Sequence, residues 1–220
     1  MLLYDSVLFD LDGTLTDPKE GITKSVQYAL KAMGVDEPDL DRLTCFIGPP
    51  LIDSFMEYYD FTREQAKIAL ARYRERFQGT GIFENRVLPG IPEMLEKLKS
   101  SGKVLALATS KPEPFARKIL EKFGLLGYFD EVVGSGMDES RCTKEEVIQE
   151  VFLRLGLSEE QKKQALMIGD RKHDIVGAKA CGIASLGVRI GYAEEGELEA
   201  AGADFVKDTV KDMEAFLLEA

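Results

Sequence analysis

Apolar and polar positions change rhythm twice along the chain. Val7, Leu8 and Phe9 form a short unbroken apolar run, the pattern of a strand buried on both faces, and Gly13 with Thr14 lets the chain turn sharply as that strand ends. From Asp17 to about Arg86 the spacing is helical. Ile22, Val26, Ala29, Leu30 and Met33 recur on one face and stop at Gly34, Leu51, Phe55 and Tyr58 predict a second helix, and residues 64–77 predict a third. From about Leu88 strands and helices alternate: helices over 91–99, 114–123, 144–155, 174–181 and 210–218, and strands over 104–108, 131–133, 165–168, 184–186 and 204–206. That alternation predicts an α/β fold whose parallel sheet is covered by helices on both faces. The helical stretch then reads as an insertion, with one domain made of residues 1–16 and 87–220 and the other of 17–86.

A chain of 220 residues that is 45% hydrophobic has the means to bury one good core and a small second one. No apolar run approaches the length of a membrane span, and the N-terminus lacks the pattern of a signal peptide, so a cytoplasmic location is expected. Cys45, Cys142 and Cys181 are an odd number at no metal-ligand spacing, which predicts reduced thiols. The net charge of −11 disfavours nucleic acid and anionic membranes as partners. A small anionic substrate therefore needs a local positive site. The single histidine, His173, excludes two-histidine metal motifs and is expected to be exposed and without a catalytic role. No phosphate-binding G-x-x-x-x-G-K-[ST] loop occurs, and the glycines at 134 and 136 lack the third member of a dinucleotide fingerprint. Oligomeric state is not legible in the sequence.

The chemistry concentrates where strands are predicted to end. Asp10 and Asp12, two apart, share a face, and with the Asp12 carbonyl they gather oxygens suited to a hard cation such as Mg²⁺. Thr109-Ser110-Lys111-Pro112 follows the apolar run ending at Ala108, so a hydroxyl, backbone N–H groups and a helix start point into one region, an arrangement suited to an anion. The alternative there is a plain helix cap.

Phe9-Asp10-Leu11-Asp12-Gly13-Thr14-Leu15 resembles the first signature of the haloacid dehalogenase-like hydrolases. The strand ending at Thr109 resembles their second motif, Lys144 stands near the place of their conserved lysine, and Leu166-Met-Ile-Gly-Asp170-Arg-Lys-His-Asp174 resembles their fourth motif. The resemblance implies a Rossmann-like core with a small helical cap inserted after the first motif. It implies Asp10 as the nucleophile that takes the phosphoryl group and Asp12 as general acid and base. Thr109, Ser110, Lys144 and Gly13 would surround the phosphoryl group, Lys144 also neutralising Asp10. Asp10, Asp12 and Asp170 would hold Mg²⁺, with Asp174 orienting that shell. Lys111 competes with Lys144 for the neutralising role, because many relatives carry a Lys-Pro pair that is absent at 144.

Within the superfamily, Gly48-Pro-Pro-Leu51, Gly191-Tyr192 and Ala201-Gly-Ala-Asp-Phe205 resemble segments of the phosphoglycolate phosphatase-like branch. The implied function is a Mg²⁺-dependent phosphatase acting on a small phosphorylated metabolite. A 5′-nucleotidase or pyrophosphatase of the same branch and a phosphosugar mutase share these motifs. A non-enzymatic phospho-aspartate signalling module needs neither Asp12 nor the insertion. Lys24 and the loop at Gly48 are the candidates for choosing the leaving group, with a solvated lysine and a structural loop as the alternatives.

Overall fold

The computed structural model describes residues 4–138 and 140–219; residues 1–3, 139 and 220, which the expected core domain includes, lie outside the described residues. The chain divides into two compact units, Asp17–Arg86 and the remainder. In chain order the regular elements are β1 Ser6–Phe9, β2 Thr16–Asp17, α1 Lys19–Ala32, α2 Leu51–Tyr59, α3 Arg63–Gly79, β3 Arg86–Val87, α4 Ile91–Ser100, β4 Val104–Pro112 and α5 Glu113–Lys122. They continue with β5 Glu131–Ser135, α6 Lys144–Leu155, α7 Glu159–Lys162, β6 Ala165–Gly169, α8 Lys172–Ala180, β7 Ala184–Val188, α9 Glu197–Ala201, β8 Phe205–Lys207 and α10 Val210–Glu219.

The larger unit holds a six-stranded parallel sheet of order β5-β4-β1-β6-β7-β8, the α/β architecture that the alternating pattern predicts. All four residues of β1 are buried, as expected of a strand in the middle of a covered sheet. On one face Leu8, Ala106, Val133 and Met167 of the sheet form a continuous core with Val147, Ile148 and Val151 of α6 and Ala178 of α8. Thr143 and Glu146 form a capping box at the start of α6, and Gly156, with φ of 64°, ends it, so local chemistry sets the span of this helix. Phe9 pairs in register with Leu107 of β4 and Ile168 of β6. The carboxyl ends of β1, β4 and β6 therefore lie level, at the place where the strand order departs in both directions from β1, which is where open α/β sheets bind ligands.

The smaller unit is helical and has its own core. Phe46 and Phe55 meet edge-on with ring centroids 4.9 Å apart, and Phe55 stacks on Phe61 at 6.0 Å. Val26, Ala29 and Leu30 of α1 are buried, as are Ala69, Leu70 and Tyr73 of α3, against which α1 packs.

Two departures from the sequence pattern have local causes. β4 runs on past Ala108 to Pro112, with a shift in its pairing to β5 between those residues, so Thr109 and Lys111 belong to an irregular strand extension instead of a helix start. The helices α7 and α9, of four and five residues, are too short to show a hydrophobic period.

Candidate active site

The backbone leaves β1 at Phe9, and the N–H of Asp10 still donates to the Ile168 carbonyl at 2.9 Å, so Asp10 is held level with the end of β6. Asp10 and Asp12 are both buried, and they meet different lysines. Lys144, 5% exposed at the first turn of α6, sends its ammonium to the carboxyl ends of β1 and β4. There Nζ lies 2.9 Å from Asp10 Oδ1 and donates to the Ala108 carbonyl at 2.9 Å, and it lies 2.7 Å from Asp174 Oδ1. Lys111 Nζ donates to Asp12 Oδ2 at 2.5 Å. The two lysines that compete for one role in the sequence thus occupy separate places.

Asp170 follows the last residue of β6 and is fully buried. Its Oδ1 accepts from the Thr14 hydroxyl at 3.3 Å and its Oδ2 from the Tyr192 N–H at 2.7 Å. Gly13, at φ of 81°, brings the turn after Asp12 so close that a Cβ there would stand 2.1 Å from Asp170 Oδ2. Asp174 Oδ2 accepts the N–H of Arg171 at 3.1 Å, as the reciprocal cap of α8. Thr109 is buried and its hydroxyl accepts the Lys111 N–H at 3.2 Å. The Ser110 carbonyl accepts the Ser135 hydroxyl at 2.8 Å.

Burial dominates the electrostatics. It raises the Asp12 carboxyl more than Lys111 lowers it. Asp170 is raised well above the usual carboxylate range by burial and then by the neighbouring Asp174 and Asp10 charges. Asp174 is raised to about 6, burial outweighing Lys144. For Lys144 burial acts downward, but Asp10 and Asp174 more than offset it and hold the ammonium protonated.

Asp10, Asp170 and Asp174 each offer a carboxylate oxygen within 4.8 Å of the others, all three buried. Four buried carboxylates, Asp10, Asp12, Asp170 and Asp174, face two ammonium groups, Lys111 and Lys144. With every group ionised, the site carries two negative charges too many. An oxygen-lined, doubly negative cluster fits a divalent hard cation such as Mg²⁺. Asp174, expected to stand behind the ligands, is one of the three converging groups, whereas the Asp12 side chain is turned to Lys111. Thr14 and Tyr192 lie in segments that carry a family resemblance, but nothing in the sequence pairs the Thr14 hydroxyl and the Tyr192 N–H with Asp170.

His173 departs from expectation. It is half-buried, its Nδ1 is enclosed without a hydrogen-bond partner, and burial lowers its pKa. Among the described residues the three cysteines form no disulfide with one another, and burial pushes the Cys181 thiol up to about 11, so it is not a reactive thiolate. No helix among the described residues is long and apolar enough to cross a membrane.

Residues 7–188 match the family model described as haloacid dehalogenase-like hydrolase. The chain is 52% identical over 199 residues to a protein of Pseudomonas aeruginosa named 5′-nucleotidase, covering 90% of this chain and 89% of that one. It is 37% identical to a Mycobacterium tuberculosis protein named tyrosine-protein kinase PtkA, covering 92% of this chain and 65% of that one. A phosphoglycolate phosphatase of Aliivibrio fischeri is 29% identical, covering 96% and 95%. The crystal structure of a predicted phosphatase from Clostridium acetobutylicum superimposes with a TM-score of 0.95 at 46% identity, covering 99% of each chain.

Proposed function

The chain belongs to the haloacid dehalogenase-like hydrolases and is a phosphatase of that family, and from this premise we propose that it hydrolyses a small phosphate monoester in a Mg²⁺-dependent reaction through an aspartyl-phosphate on Asp10. The observation that carries this reading is the convergence of Asp10, Asp170 and Asp174, with Lys144 paired to Asp10 and Asp174, at the level ends of β1, β4 and β6.

Asp10, Asp170 and Asp174, with the Asp12 carbonyl, would hold Mg²⁺. Bound there, the ion neutralises the carboxylates and draws charge from the phosphoryl oxygens. In the first step an Asp10 oxygen attacks phosphorus and the bond to the leaving oxygen breaks, while the Asp12 carboxyl gives its proton to that oxygen. Lys111 occupies Asp12 Oδ2 and leaves the buried Oδ1 for the proton, and burial favours the protonated form that this step requires. In the second step Asp12, now ionised, takes a proton from water; the water oxygen attacks phosphorus, the bond to Asp10 breaks and inorganic phosphate leaves. Lys144 pairs with Asp10 and stabilises the charge on the phosphoryl group, with Thr109, Ser110 and the backbone at Gly13 as its remaining partners.

Among substrates, the branch motifs and the Aliivibrio fischeri relative favour phosphoglycolate. A 5′-nucleotide is the second reading, supported by the relative that is 52% identical. Residues 17–86 would choose between them. Lys24 lines a polar cavity of about 370 Å³ within that unit and pairs with Glu20 at 2.6 Å. The test is phosphate release from a panel of phosphoglycolate, nucleoside 5′-monophosphates, sugar phosphates and pyrophosphate with Mg²⁺, using Asp10→Asn as control. Hydrolysis of one ester class by the wild type and none by the variant is expected. A folded Asp10→Asn protein that works at the wild-type rate refutes the reading.

A further inference from the structure

Asp170 is enclosed by a segment that no catalytic motif includes. After β7 the chain runs through Arg189 to Gly196 before α9. This stretch delivers the Tyr192 N–H to Asp170 Oδ2 at 2.7 Å. One residue earlier, a Cβ on Gly191 would stand 2.1 Å from Asp170 Oδ2 and 2.4 Å from the Gly13 carbonyl. Gly191 does not have a positive φ, so closeness alone keeps a side chain out. With Gly13 on its other side, the Asp170 carboxylate is held between two glycines, with one donor for each oxygen: Thr14 for Oδ1 and Tyr192 for Oδ2.

The segment is itself tied down beside the start of α8. Glu197, nearly buried, accepts from Arg171 Nε at 2.9 Å and from the Lys172 N–H at 2.7 Å, both through Oε1. Its Oε2 accepts the Glu194 N–H at 3.1 Å. One carboxylate therefore fastens the segment to the residues that directly follow Asp170.

We propose that residues 189–197 form a positioning clamp for the cation site: Gly191 and the Tyr192 N–H set the Asp170 carboxylate against the Gly13 turn, and Glu197 locks the clamp to Arg171 and Lys172. Tyr192, Gly191 and Glu197 are positioning residues acting through Asp170, because outer partners that orient a ligand control metal affinity. The inference rests on the reading of Asp10, Asp170 and Asp174 as a Mg²⁺ site.

The test uses the full chain and measures Mg²⁺ binding by calorimetry, alongside the Mg²⁺ dependence of p-nitrophenyl phosphate hydrolysis. Wild-type binding tests the site reading itself; absence of Mg²⁺ binding there sinks that reading, and the clamp with it. Gly191→Ala should weaken Mg²⁺ binding ten-fold or more, and Glu197→Gln, which keeps volume but loses the charge on Arg171, by about three-fold. In both, the activating Mg²⁺ concentration should rise by the same factor while kcat at saturating Mg²⁺ changes less than three-fold. Gly127→Ala, at a glycine with open space around its Cβ, should leave Mg²⁺ binding unchanged. Wild-type Mg²⁺ affinity in folded Gly191→Ala overturns the clamp. So does a fall in kcat with an unchanged activating concentration in either variant, which marks general structural damage. If Gly191→Ala does not fold, Glu197→Gln decides alone: wild-type affinity there overturns the proposal.

Discussion

Replacing Lys144 by methionine keeps most of the length of the side chain and removes the ammonium that Asp10 and Asp174 share. In the wild type that group lies within 2.9 Å of Asp10, Asp174 and the Ala108 carbonyl, and it is 5% exposed. Without it, Asp10 and Asp174 lose the ammonium they share while still converging with Asp170. Removing one partner of a buried ion pair costs about 3–5 kcal/mol, a large share of the roughly 5–15 kcal/mol by which a domain is folded. The cost should depend on pH. Asp174 has its pKa raised to about 6 even with the lysine present, and losing the lysine moves it further up. At pH 5 the carboxyl carries a proton and the repulsion is relieved, so the difference from wild type should shrink, while at pH 7.5 it should be full. Mg²⁺ should restore much of the loss, since a site saturated to 100 times its Kd gains about 2.7 kcal/mol and the variant no longer opposes the cation with an ammonium. Urea unfolding of metal-free and Mg²⁺-loaded protein at both pH values reads these quantities. Turnover should stay at least about 100-fold down even with Mg²⁺, because the phosphoryl charge has lost a fixed counter-charge worth about 2.7 kcal/mol. A metal-free variant within 1 kcal/mol of wild type at pH 7.5, or a difference that is the same at pH 5, would refute the electrostatic account.

Asp12→Asn should turn over natural esters at a rate lower by about 100-fold or more, the contribution of a positioned proton donor. With p-nitrophenyl phosphate, whose leaving group needs little protonation, it should accumulate phosphorylated Asp10. Mass spectrometry that finds no phosphorylated chain despite retained substrate binding counts against the role of Asp12. The metal-free wild type should be more stable near pH 5 than near pH 8. The folded pKa of Asp174 is raised from an ordinary value of 3.8 to about 6, so its contribution is present below the unfolded pKa and is lost as pH rises through about 6. That shift corresponds to about 3 kcal/mol over the full titration, of which about 1.4 kcal/mol falls between pH 5 and pH 8 because pH 5 already lies above the unfolded pKa, and Asp170 acts in the same direction. A flat stability profile without metal contradicts this, as does a Mg²⁺-induced gain that is no larger at pH 8 than at pH 5. Exchanging residues 17–86 for the insertion of a relative with another preference should change relative kcat/KM among natural esters ten-fold or more, about 1.4 kcal/mol. An equal fall for every ester would leave that unit no part in specificity.

The parallel α/β architecture and the helical character of residues 17–86 were legible because each rests on local periodicity: apolar runs such as 7–9 and 104–108 for covered strands, and the spacing of Ile22 through Met33 for a helix face. The placement of Asp10, Asp12 and Asp170 at strand ends was also legible, since each follows a buried apolar run where a parallel strand must end. Local pattern failed where a partner lies far along the chain. Lys111 and Lys144 read alike as lysines near a helix start; the packing of α6 on the sheet carries Lys144 to Asp10, 134 positions away, while the irregular extension of β4 carries Lys111 to Asp12. The same holds for Asp174, which capping marks only as the start of α8, and for Tyr192, whose backbone N–H has no side-chain signature at all. Periodicity records which face of an element is buried, and so it determines the layers. Which charges meet, and hence how far each carboxyl is raised, depends on register between strands and on where each helix rests, and only the tertiary structure decides that.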